Sequence, residues 1–485
     1  MVDIVFINPG DRKQIYQDLG ADISAIEPPF LTASFAAYLR NKGFRVAIID
    51  AQAENITPLE TAQRAGTLNP LLACVIVYGN QPSASSQNMS ISGRICTELK
   101  NIGIENVAIG GLHPSALPER TLREEAVDFV IEGEEQEPLF ALLEFLKGSR
   151  EITSVPGIWR WEEAEIVHTP RAPLAKNLDD VLPIAAWDLL PMDKYRAHNW
   201  HCFDDICHRM PYAAIYTSLG CPYSCTFCCI NAPFGKPGIR YRTPEVVVEE
   251  LELLHTQYGV KNIKFVDEMF VLDERHYMKI MDLIIEKKLD LNIWCYARVD
   301  TIKEETLASM KKAGVNWLAL GIESANPNVR DGASKKMRVK DIETVIRQIQ
   351  NADICVIGNY IFGLPDDTEE TLQETLEMAI ELNCEFANFY CAMAYPGSEL
   401  YAMALEENWA LPKEWKDYSQ HGYAILPLRT KHLSAKEIIR FRDNAFHQYF
   451  ENRVYLDMIE SRFGLSVREH LEQITKNKLK RQILE

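Results

Sequence analysis

The chain has 485 residues, which is too long for one compact core and fits two or three domains. Its composition, with 47% hydrophobic and 25% charged residues, is that of a soluble globular protein, and a formal net charge of -18 argues against a nucleic-acid partner. The 12 cysteines are unevenly spaced, which does not fit a secreted disulfide framework and favours metal binding or catalysis.

The N-terminal segment MVDIVFINPG lacks the basic start and the long apolar core of a signal peptide. A run of about 18 uncharged apolar residues does not occur, so the sequence predicts no membrane span. We therefore expect a cytoplasmic protein.

Residues 1–145 alternate short apolar runs with helical stretches. The runs are rich in Val and Ile and end at Gly or Asp, which is typical of parallel strands buried on both faces. They are DIVFINPG, FRVAIID, LLACVIVYG, ENVAIGG and DFVIEG. The pattern predicts an α/β domain with a doubly wound, Rossmann-like sheet.

Doubly wound sheets bind ligands beyond the carboxyl ends of their strands, where glycines let the backbone approach a ligand closely. A tight turn explains each loop equally well by itself, but four such loops in succession favour a shared ligand surface. The candidate binding residues are Asn8, Pro9, Gly79, Gly110, Gly111, His113, Gly133 and Glu134, and Asn80 lies beside them.

Residues 146–210 form a predicted connector with a small hairpin in VPGIWRWEEAEIVHTPRAPL and a Pro-rich link. Residues 211–430 contain a second β/α series. Its strand candidates are AAIYTSLG, NIKFVDE, NIWCYAR, WLALGIES, VIGNYIFG and FANFYCAMAYPG. Six βα units predict a partial (β/α)6 barrel of the TIM type, with its chemistry at the C-terminal ends of the strands. Residues 431–485 are predicted to be helical.

The loop after the first barrel strand, SLGCPYSCTFCCINAPFG, holds four cysteines. Cys221, Cys225 and Cys228 have the spacing C-x-x-x-C-x-x-C, and three thiolates from one short loop can bind three irons of a [4Fe-4S] cluster. Structural zinc is the alternative, but such a site needs four ligands, usually in two separated pairs. The side chain of Cys229 is directed away from that of the adjacent Cys228, so we expect that Cys229 does not bind the cluster.

Two adjacent carboxylates, Asp267 and Glu268, end the second barrel strand, whose other residues are mostly apolar. Carboxylates in such a place are costly unless they bind something. A helix cap for the following segment is the plain alternative for one of them.

The segment CPYSCTFC, with aromatic Phe227 before its last cysteine, resembles the signature of radical S-adenosylmethionine (SAM) enzymes. FVDE, ALGIES, IFGLPDDT and AYPGSELY are similar to later strand ends of that family. EPPFLTASFAAYLRNKGFRVAIID and AIGGLHPSALPE resemble the cobalamin-binding domain that precedes the barrel in its largest subgroup. Over roughly residues 1–410, the chain resembles the cobalamin-binding-domain radical SAM enzymes, of the class B methyltransferase type.

This resemblance implies a [4Fe-4S] cluster on Cys221, Cys225 and Cys228, SAM on the open iron, and cobalamin at the N-terminal loop residues named above. The positions that match SAM contacts are Asp267, Glu268, Glu323, Ser324, Gly363 and Pro365, and Arg298 at the end of WCYAR is a candidate partner for the SAM carboxylate. The segment Tyr395, Pro396 and Gly397 matches the end of the sixth strand. For Arg298 an ordinary salt bridge is an equal alternative, and for the turn residues so is a purely structural role.

The cobalamin domain departs from one familiar pattern, D-x-H-x-x-G, whose histidine ligates cobalt from below. The corresponding loop here, NPGDRKQIYQDLG, contains no histidine, so that mode of ligation is not expected. His113 lies in a different loop, where packing near the nucleotide tail and an ordinary surface position are equal alternatives.

The resemblance implies a methyltransferase that acts on an unactivated carbon or phosphorus centre of a small molecule through a 5′-deoxyadenosyl radical and methylcobalamin. A cyclase or rearrangement enzyme that uses cobalamin without net methyl transfer is the alternative. A cluster-containing electron carrier is the third hypothesis, and such a protein needs no SAM site. The implied partners are a small-molecule substrate and an external electron donor of the flavodoxin or ferredoxin type.

Overall fold

A computed structural model of the protein describes residues 2–17, 24–79, 82–335 and 342–485. In that part of the chain, no helix combines the length and the apolar character needed to cross a membrane. The candidate residue Asn80 lies outside the described residues, and so do residues 339–341, where the stretch VKDIETVIRQIQNA predicts the start of a helix.

Seven strands form the N-terminal sheet. They are β1 (Ile4–Asn8), β2 (Val46–Asp50), β3 (Leu72–Val77), β4 (Val107–Gly111), β5 (Phe129–Ile131), β6 (Ile158–Glu162) and β7 (Glu165–His168). The order is β2-β1-β3-β4-β5-β6-β7, and the first five are parallel, with Ile4 opposite both Val46 and Leu72. Ile4 and Phe6 belong to one apolar cluster and Val5 to another, so the sheet is buried on both faces.

Helices follow most of these strands. They are α1 (Arg12–Tyr16), α2 (Phe30–Asn41), α3 (Ala51–Glu54), α4 (Pro58–Leu68), α5 (Pro82–Asn101), α6 (Leu112–Ala116), α7 (Pro118–Glu124) and α8 (Gln136–Leu146). The start of α4 shows why they begin where they do. The Thr57 side chain accepts from the Glu60 N–H, the Glu60 carboxylate accepts from the Thr57 N–H, and Pro58 occupies the first helical position.

The hairpin of β6 and β7 differs in placement from the sequence prediction. We expected it in a connector, whereas β6 pairs antiparallel with β5 and β7 pairs with β6, so that both extend the first sheet. Without them β5 would be an edge strand with unpaired backbone groups. A hairpin signal in the sequence specifies the local turn and strands, but the sheet that the hairpin joins depends on tertiary contacts.

The second sheet follows in the chain. The strands are β8 (Tyr212–Ile215), β9 (Ser218–Leu219), β10 (Arg240–Tyr241), β11 (Asn262–Phe265), β12 (Asn292–Ala297), β13 (Val315–Glu323), β14 (Cys355–Phe362) and β15 (Phe386–Cys391). Six of them form a parallel sheet in the order β15-β14-β13-β12-β11-β8, while β9 and β10 pair antiparallel. Since β8 and β15 are its edges, the barrel is open.

Helices alternate with these strands and then continue to the C-terminus. They are α9 (Pro244–Tyr258), α10 (Glu274–Lys287), α11 (Glu304–Lys312), α12 (Pro327–Gly332), α13 (Ile342–Asn351), α14 (Glu369–Leu382), α15 (Glu399–Glu406), α16 (Ala435–Phe450), α17 (Arg453–Phe463) and α18 (Leu465–Thr475). Short 3-10 helices lie at Ile152–Ser154, Leu178–Asp180, Trp187–Leu189, Met192–Lys194, Trp200–Cys202, Val299–Thr301, Trp415–Tyr418 and Gln482–Leu484.

The C-terminal helices cover the edge strand β15. Arg442 of α16 donates from Nε to the Phe389 carbonyl at 2.7 Å, and the Tyr449 hydroxyl donates to the Cys384 carbonyl at 2.6 Å. Side chains of α16 thus satisfy backbone carbonyls in β15 and in the residues before it. This packing fixes the C-terminal segment beside the open side of the barrel.

The two sheets are joined by a buried ion pair. Arg242 and Glu250, both fully buried, lie 2.8 Å apart. Glu250 also accepts from the Ala185 N–H at 2.8 Å and from Trp187 Nε1 at 2.9 Å, and the Arg242 guanidinium lies 5.5 Å from the centre of the Phe30 ring. The pair therefore contacts barrel, connector and N-terminal domain at one point.

We expect Glu250→Gln to lower the free energy of unfolding by about 3 kcal/mol, because it leaves the Arg242 charge buried without its counter-ion. Glutamine keeps the acceptor for Ala185 and Trp187. The control is Glu252→Gln, whose surface pair with Lys287 at 2.6 Å is about 40% exposed and contributes less than about 1 kcal/mol. Urea and thermal denaturation measure the loss of unfolding free energy in both variants. Equal losses in Glu250→Gln and Glu252→Gln would contradict the role assigned to the buried pair.

Candidate functional site

The cysteine loop follows β9 at the carboxyl end of the first barrel strand. Gly220, which opens it, has a φ of +88°, and a Cβ there would lie 2.4 Å from the Gly238 carbonyl oxygen. Cys221, Cys225 and Cys228 all line one cavity of about 270 Å³. The loop geometry thus presents three sulfurs to one space.

The neighbouring Cys229 has different surroundings. It is buried at 1% exposure and is absent from the described lining of that cavity; a Cβ on Gly397 would lie 3.7 Å from its Cβ. Burial raises the pKa of Cys221 to about 11 and that of Cys229 to about 12. A cavity thiol with such a pKa is protonated at neutral pH until a bound metal replaces the proton.

Three cysteines on one cavity fit a cubane cluster. Among the described residues, no group of three or more His, Cys, Asp or Glu side chains is close enough together to hold a single metal ion. Ligands of a [4Fe-4S] cluster bind separate irons and so need not converge on one point. A fourth cysteine among the described lining residues, Cys391, lies on strand β15 and not in the cysteine loop.

Charged residues form the wall of the cavity beside the cysteines. Glu268 lies at the end of the strand β11, and burial raises its pKa to about 7, an effect that the nearby Asp267 reinforces. Arg298 is stacked 4.1 Å from the centre of the Tyr223 ring and is paired with Asp300 at 2.9 Å. An amino acid zwitterion such as the methionine part of SAM presents one cation and one anion, which this wall can match.

Glu323 completes the wall at the end of β13. Its backbone has a φ of +67°, which is costly for a non-glycine residue and is typical of functional sites. Its carboxylate forms an ion pair with Lys335, and both side chains are under 10% exposed and line the cavity. Tyr395 also lines this cavity.

Four other predicted SAM residues have structural contacts. Asp267 is fully buried and accepts from the Thr217 N–H at 3.0 Å and the Thr217 hydroxyl at 2.7 Å, so it fixes the segment that precedes the cysteine loop. Ser324 contacts the Thr375 hydroxyl at 3.2 Å. The described lining of the cavity lacks all four, which are Asp267, Ser324, Gly363 and Pro365.

The turn after β14 and the end of β15 are tightly packed. Gly363 has a φ of +88° and donates its N–H to the Asp367 carboxylate at 3.0 Å. Gly397 has a φ of +90°, and a Cβ there would lie 2.8 Å from the Cβ of Ala232 in the cysteine loop. Because of this close approach at Gly397, the segment of Tyr395, Pro396 and Gly397 packs directly on the cysteine loop.

A second cavity, of about 420 Å³, extends from the carboxyl edge of the first sheet into the open barrel. Asn8 and Gly79 line it, as do Tyr78 and Asn88. Asn8 donates to the Asp50 carboxylate at 2.8 Å, which fixes its side chain. The Oδ1 atom of Asn88 is buried and has no hydrogen-bond partner among the described residues. This unsatisfied acceptor and the polar lining fit a ligand with amide groups, such as cobalamin.

The remaining N-terminal candidates do not belong to the described lining of this cavity. Gly111 has a φ of +132°, and a Cβ there would lie 2.3 Å from the Val77 carbonyl oxygen, so close strand packing requires glycine. Glu134 pairs with Arg240 of the barrel at 2.5 Å. The described lining of the larger cavity includes none of Pro9, Gly110, Gly111, His113, Gly133 and Glu134.

His113 is a buried residue rather than a surface one. It is 1% exposed, its Nδ1 lies 3.0 Å from the Ser86 hydroxyl, and its ring meets the Trp415 ring edge-on at 4.3 Å. Burial lowers its pKa to about 3, so the ring is neutral. The surface alternative from the sequence is therefore wrong, because Trp415 comes from a distant part of the chain to cover it.

Four residues line both cavities, namely Tyr296, Asn359, Tyr390 and Gln420. Sequence reasoning missed them. Three lie inside apolar strand runs, where an aromatic or a single amide resembles core sequence. The available signal for these three was their strand position, since each points to the inner face of the open barrel.

A comparison with family models matches residues 215–379 to the Radical SAM superfamily and residues 16–143 to the B12 binding domain. The chain is 30% identical over 427 residues to the uncharacterized methyltransferase PH0819 of Pyrococcus horikoshii, with 87% of this chain and 88% of that protein covered. The chain belongs to the cobalamin-binding radical SAM family. It is therefore an enzyme whose cofactors are a [4Fe-4S] cluster, SAM and cobalamin.

Other members of this radical SAM family carry different names. The chain is 24% identical over 462 residues to the anaerobic magnesium-protoporphyrin IX monomethyl ester cyclase of Rubrivivax gelatinosus, with 93% of this chain and 78% of that protein covered. It is 23% identical over 444 residues to the cytidylyl-2-hydroxyethylphosphonate methyltransferase of Streptomyces wedmorensis, with 81% and 80% covered.

Solved structures of cobalamin-dependent radical SAM enzymes share the fold. The methyltransferase TsrM from Kitasatospora setae, with cobalamin and a [4Fe-4S] cluster bound, matches with a TM-score of 0.67 and 19% identity, covering 84% of this chain and 75% of that one. OxsB, with aqua-cobalamin and SAM bound, matches with a TM-score of 0.71 and 15% identity, covering 98% and 72%. These likenesses confirm the predicted fold class.

Adjacent cysteines allow a matched test of the cluster ligands. We expect Cys228→Ala to lose most of the bound iron and sulfide after anaerobic reconstitution, because a cubane then keeps two protein ligands. Cys229→Ala is the control and should retain the iron, the sulfide and the visible absorbance of the parent. Iron loss in Cys229→Ala with retention in Cys228→Ala would reverse the assignment.

Glu135 supplies a pH test on the cobalamin side. It accepts from the Tyr78 hydroxyl at 2.9 Å, and burial raises its pKa from 4.5 to about 8. The folded enzyme then holds a proton that the unfolded chain releases, so this residue lowers stability progressively as pH rises from about 4.5 to 8. We expect the melting temperature of Glu135→Gln to rise relative to the parent between pH 5.5 and 8. If the difference in melting temperature between Glu135→Gln and the parent became smaller over this pH range, the raised pKa of Glu135 would be contradicted.

Proposed function

We propose that the enzyme is a methyltransferase that acts on an unactivated carbon or phosphorus centre of a small molecule. When bound, the cluster supplies the electron that cleaves SAM to the 5′-deoxyadenosyl radical, and cobalamin supplies a carrier for a methyl group. The observation that supports the proposal most is the shared boundary of the two cavities. It offers one place where a substrate can meet both cofactors.

The wall of the smaller cavity explains how this chain would hold SAM. Glu268 can accept from the amino group and Arg298 can donate to the carboxylate, while Glu323 lies close to the same space. Cys221, Cys225 and Cys228 line the same cavity and would hold the cluster. The helix α16 covers the edge strand β15 of the open barrel.

Relatives with methyltransferase names support methyl transfer, but a cyclase name among them supports the second candidate function. A cyclase would use the radical and would leave the methyl group of SAM in place. We propose an external electron donor of the flavodoxin or ferredoxin type for either reaction.

The two functions differ in their products before a substrate is known. We expect the reconstituted enzyme, with SAM and a chemical reductant, to form S-adenosylhomocysteine only when cobalamin is added, and to form 5′-deoxyadenosine whenever the cluster is intact. Mass spectrometry quantifies both. Formation of 5′-deoxyadenosine without S-adenosylhomocysteine would favour the cyclase. If enzyme with a full cluster formed neither product, the electron-carrier function would be favoured. Cys225→Ala should form neither.

A further inference from the structure

The boundary between the two cavities is formed by side chains of three barrel strands. Tyr296 is on β12, Asn359 on β14 and Tyr390 on β15, and Gln420 reaches them from a later loop. The smaller cavity contains the cluster cysteines, and the larger one reaches Asn8 of the first sheet. If both cofactors act on one substrate, as the proposed function requires, that substrate contacts this boundary.

The inner face of the sheet is open at these positions. Tyr296, Asn359, Asn388 and Tyr390 are half-buried, whereas their immediate neighbours in the strands are buried. Residues two apart in a strand point to the same face, and Asn388 and Tyr390 show this spacing on β15. The barrel interior is therefore not filled by its own side chains.

The amides near the boundary are already hydrogen-bonded to protein. Gln420 exchanges two hydrogen bonds with the backbone of Cys391, each 2.9 Å long. Asn388 donates to Asn359 at 3.0 Å, and Asn359 donates to the Leu320 carbonyl at 3.2 Å. These contacts fix the amides in place.

The hydroxyls of Tyr296 and Tyr390 differ from these amides in their hydrogen bonding. Within the described residues, the hydroxyls of Tyr296 and Tyr390 have no hydrogen-bond partner, although both side chains line both cavities. Burial raises the pKa of Tyr296 and that of Tyr390 well above their ordinary range, so both are donors at working pH. A hydroxyl in this position gains most from a ligand that accepts a hydrogen bond.

Below the boundary, the larger cavity is aromatic. Trp200 meets Trp294 edge-on with ring centres 5.0 Å apart and lies 5.8 Å from Phe386. The small side chain of Ala319 lines the same space. Such a lining favours an apolar, ring-sized body.

The buried cations that line the larger cavity, Lys264 and Arg442, are each paired with a carboxylate, while Lys478 lines the cavity from an exposed position. Lys264, 3% exposed, lies 3.1 Å from Glu27, and Arg442 lies 2.8 Å from Asp443. A charged substrate group placed here would have to disrupt one of these pairs or remain without a counter-ion, and both are costly. The interior therefore favours an uncharged ligand.

We propose that Tyr296 and Tyr390 bind the substrate by donating hydrogen bonds to an uncharged oxygen acceptor, while the apolar, ring-sized body of the substrate occupies the barrel interior. The two tyrosines thereby hold the acceptor centre between SAM and cobalamin. This assignment rests on the proposed function only for the location of the cofactors.

The test measures dissociation constants of three probes with one ring body on the reconstituted holoenzyme. The probes are 2-acetonaphthone, 2-naphthoate and (2-naphthyl)methylammonium, which present a neutral carbonyl, an anion and a cation. We expect the ketone to bind at least about tenfold more tightly than either ion. Tyr296→Phe and Tyr390→Phe should each weaken ketone binding by about threefold to tenfold.

Two further variants locate the probe. Tyr360→Phe is the matched control, because Tyr360 is fully buried on β14, its hydroxyl also has no partner among the described residues, and it lines neither cavity. It should bind the ketone like the parent. Ala319→Leu should abolish ketone binding by filling the interior.

Tighter binding of either ion than of the ketone would overturn the substrate class. Parent-like ketone binding by both Tyr296→Phe and Tyr390→Phe would overturn the role of the tyrosines. The products S-adenosylhomocysteine and 5′-deoxyadenosine are measured on the same samples without probe. If the parent forms no S-adenosylhomocysteine while the probe results hold, the methyltransferase proposal fails and the binding site stands.

Discussion

The buried pair of Arg242 and Glu250 determines how the two halves of this enzyme meet. A buried ion pair is stabilised by further hydrogen bonds to its polar atoms, and Glu250 accepts two from the connector, at Ala185 and Trp187. Arg242 adds a contact with Phe30, the first residue of α2. The larger cavity depends on this geometry, since its lining residues come from both halves of the chain.

Neighbouring carboxylates at the end of β11 show how one strand end serves both fold and chemistry. Asp267 turns toward Thr217, while Glu268, in the turn that follows, faces the cavity. Burial raises the pKa of Asp267, and its hydrogen bonds with Ser218 and Thr217 oppose that shift. The carboxylate that does not face the cavity thus anchors the backbone that carries the cysteines.

Strand runs and the cysteine spacing could be predicted from the sequence because each is a local property. Continuous Val and Ile runs become buried parallel strands wherever they occur, and Cys221, Cys225 and Cys228 come from one loop. The partner of the β6–β7 hairpin and the burial of His113 could not be predicted, since β5 and Trp415 are brought to them by tertiary folding. Tyr296 looks like core sequence, and only the open barrel shows that it faces a cavity.

Among the described residues, the hydroxyls of Tyr296 and Tyr390 have no protein partner, and both side chains line the two cavities, where a ligand can accept from them. Phenylalanine at Tyr296 and Tyr390 would pack as well and would leave no donor unsatisfied. A site built to donate hydrogen bonds rejects an analogue that lacks the acceptor more strongly than an apolar pocket rejects a change of size. The tyrosines therefore give the barrel a means of selecting its substrate that the aromatic interior alone does not provide.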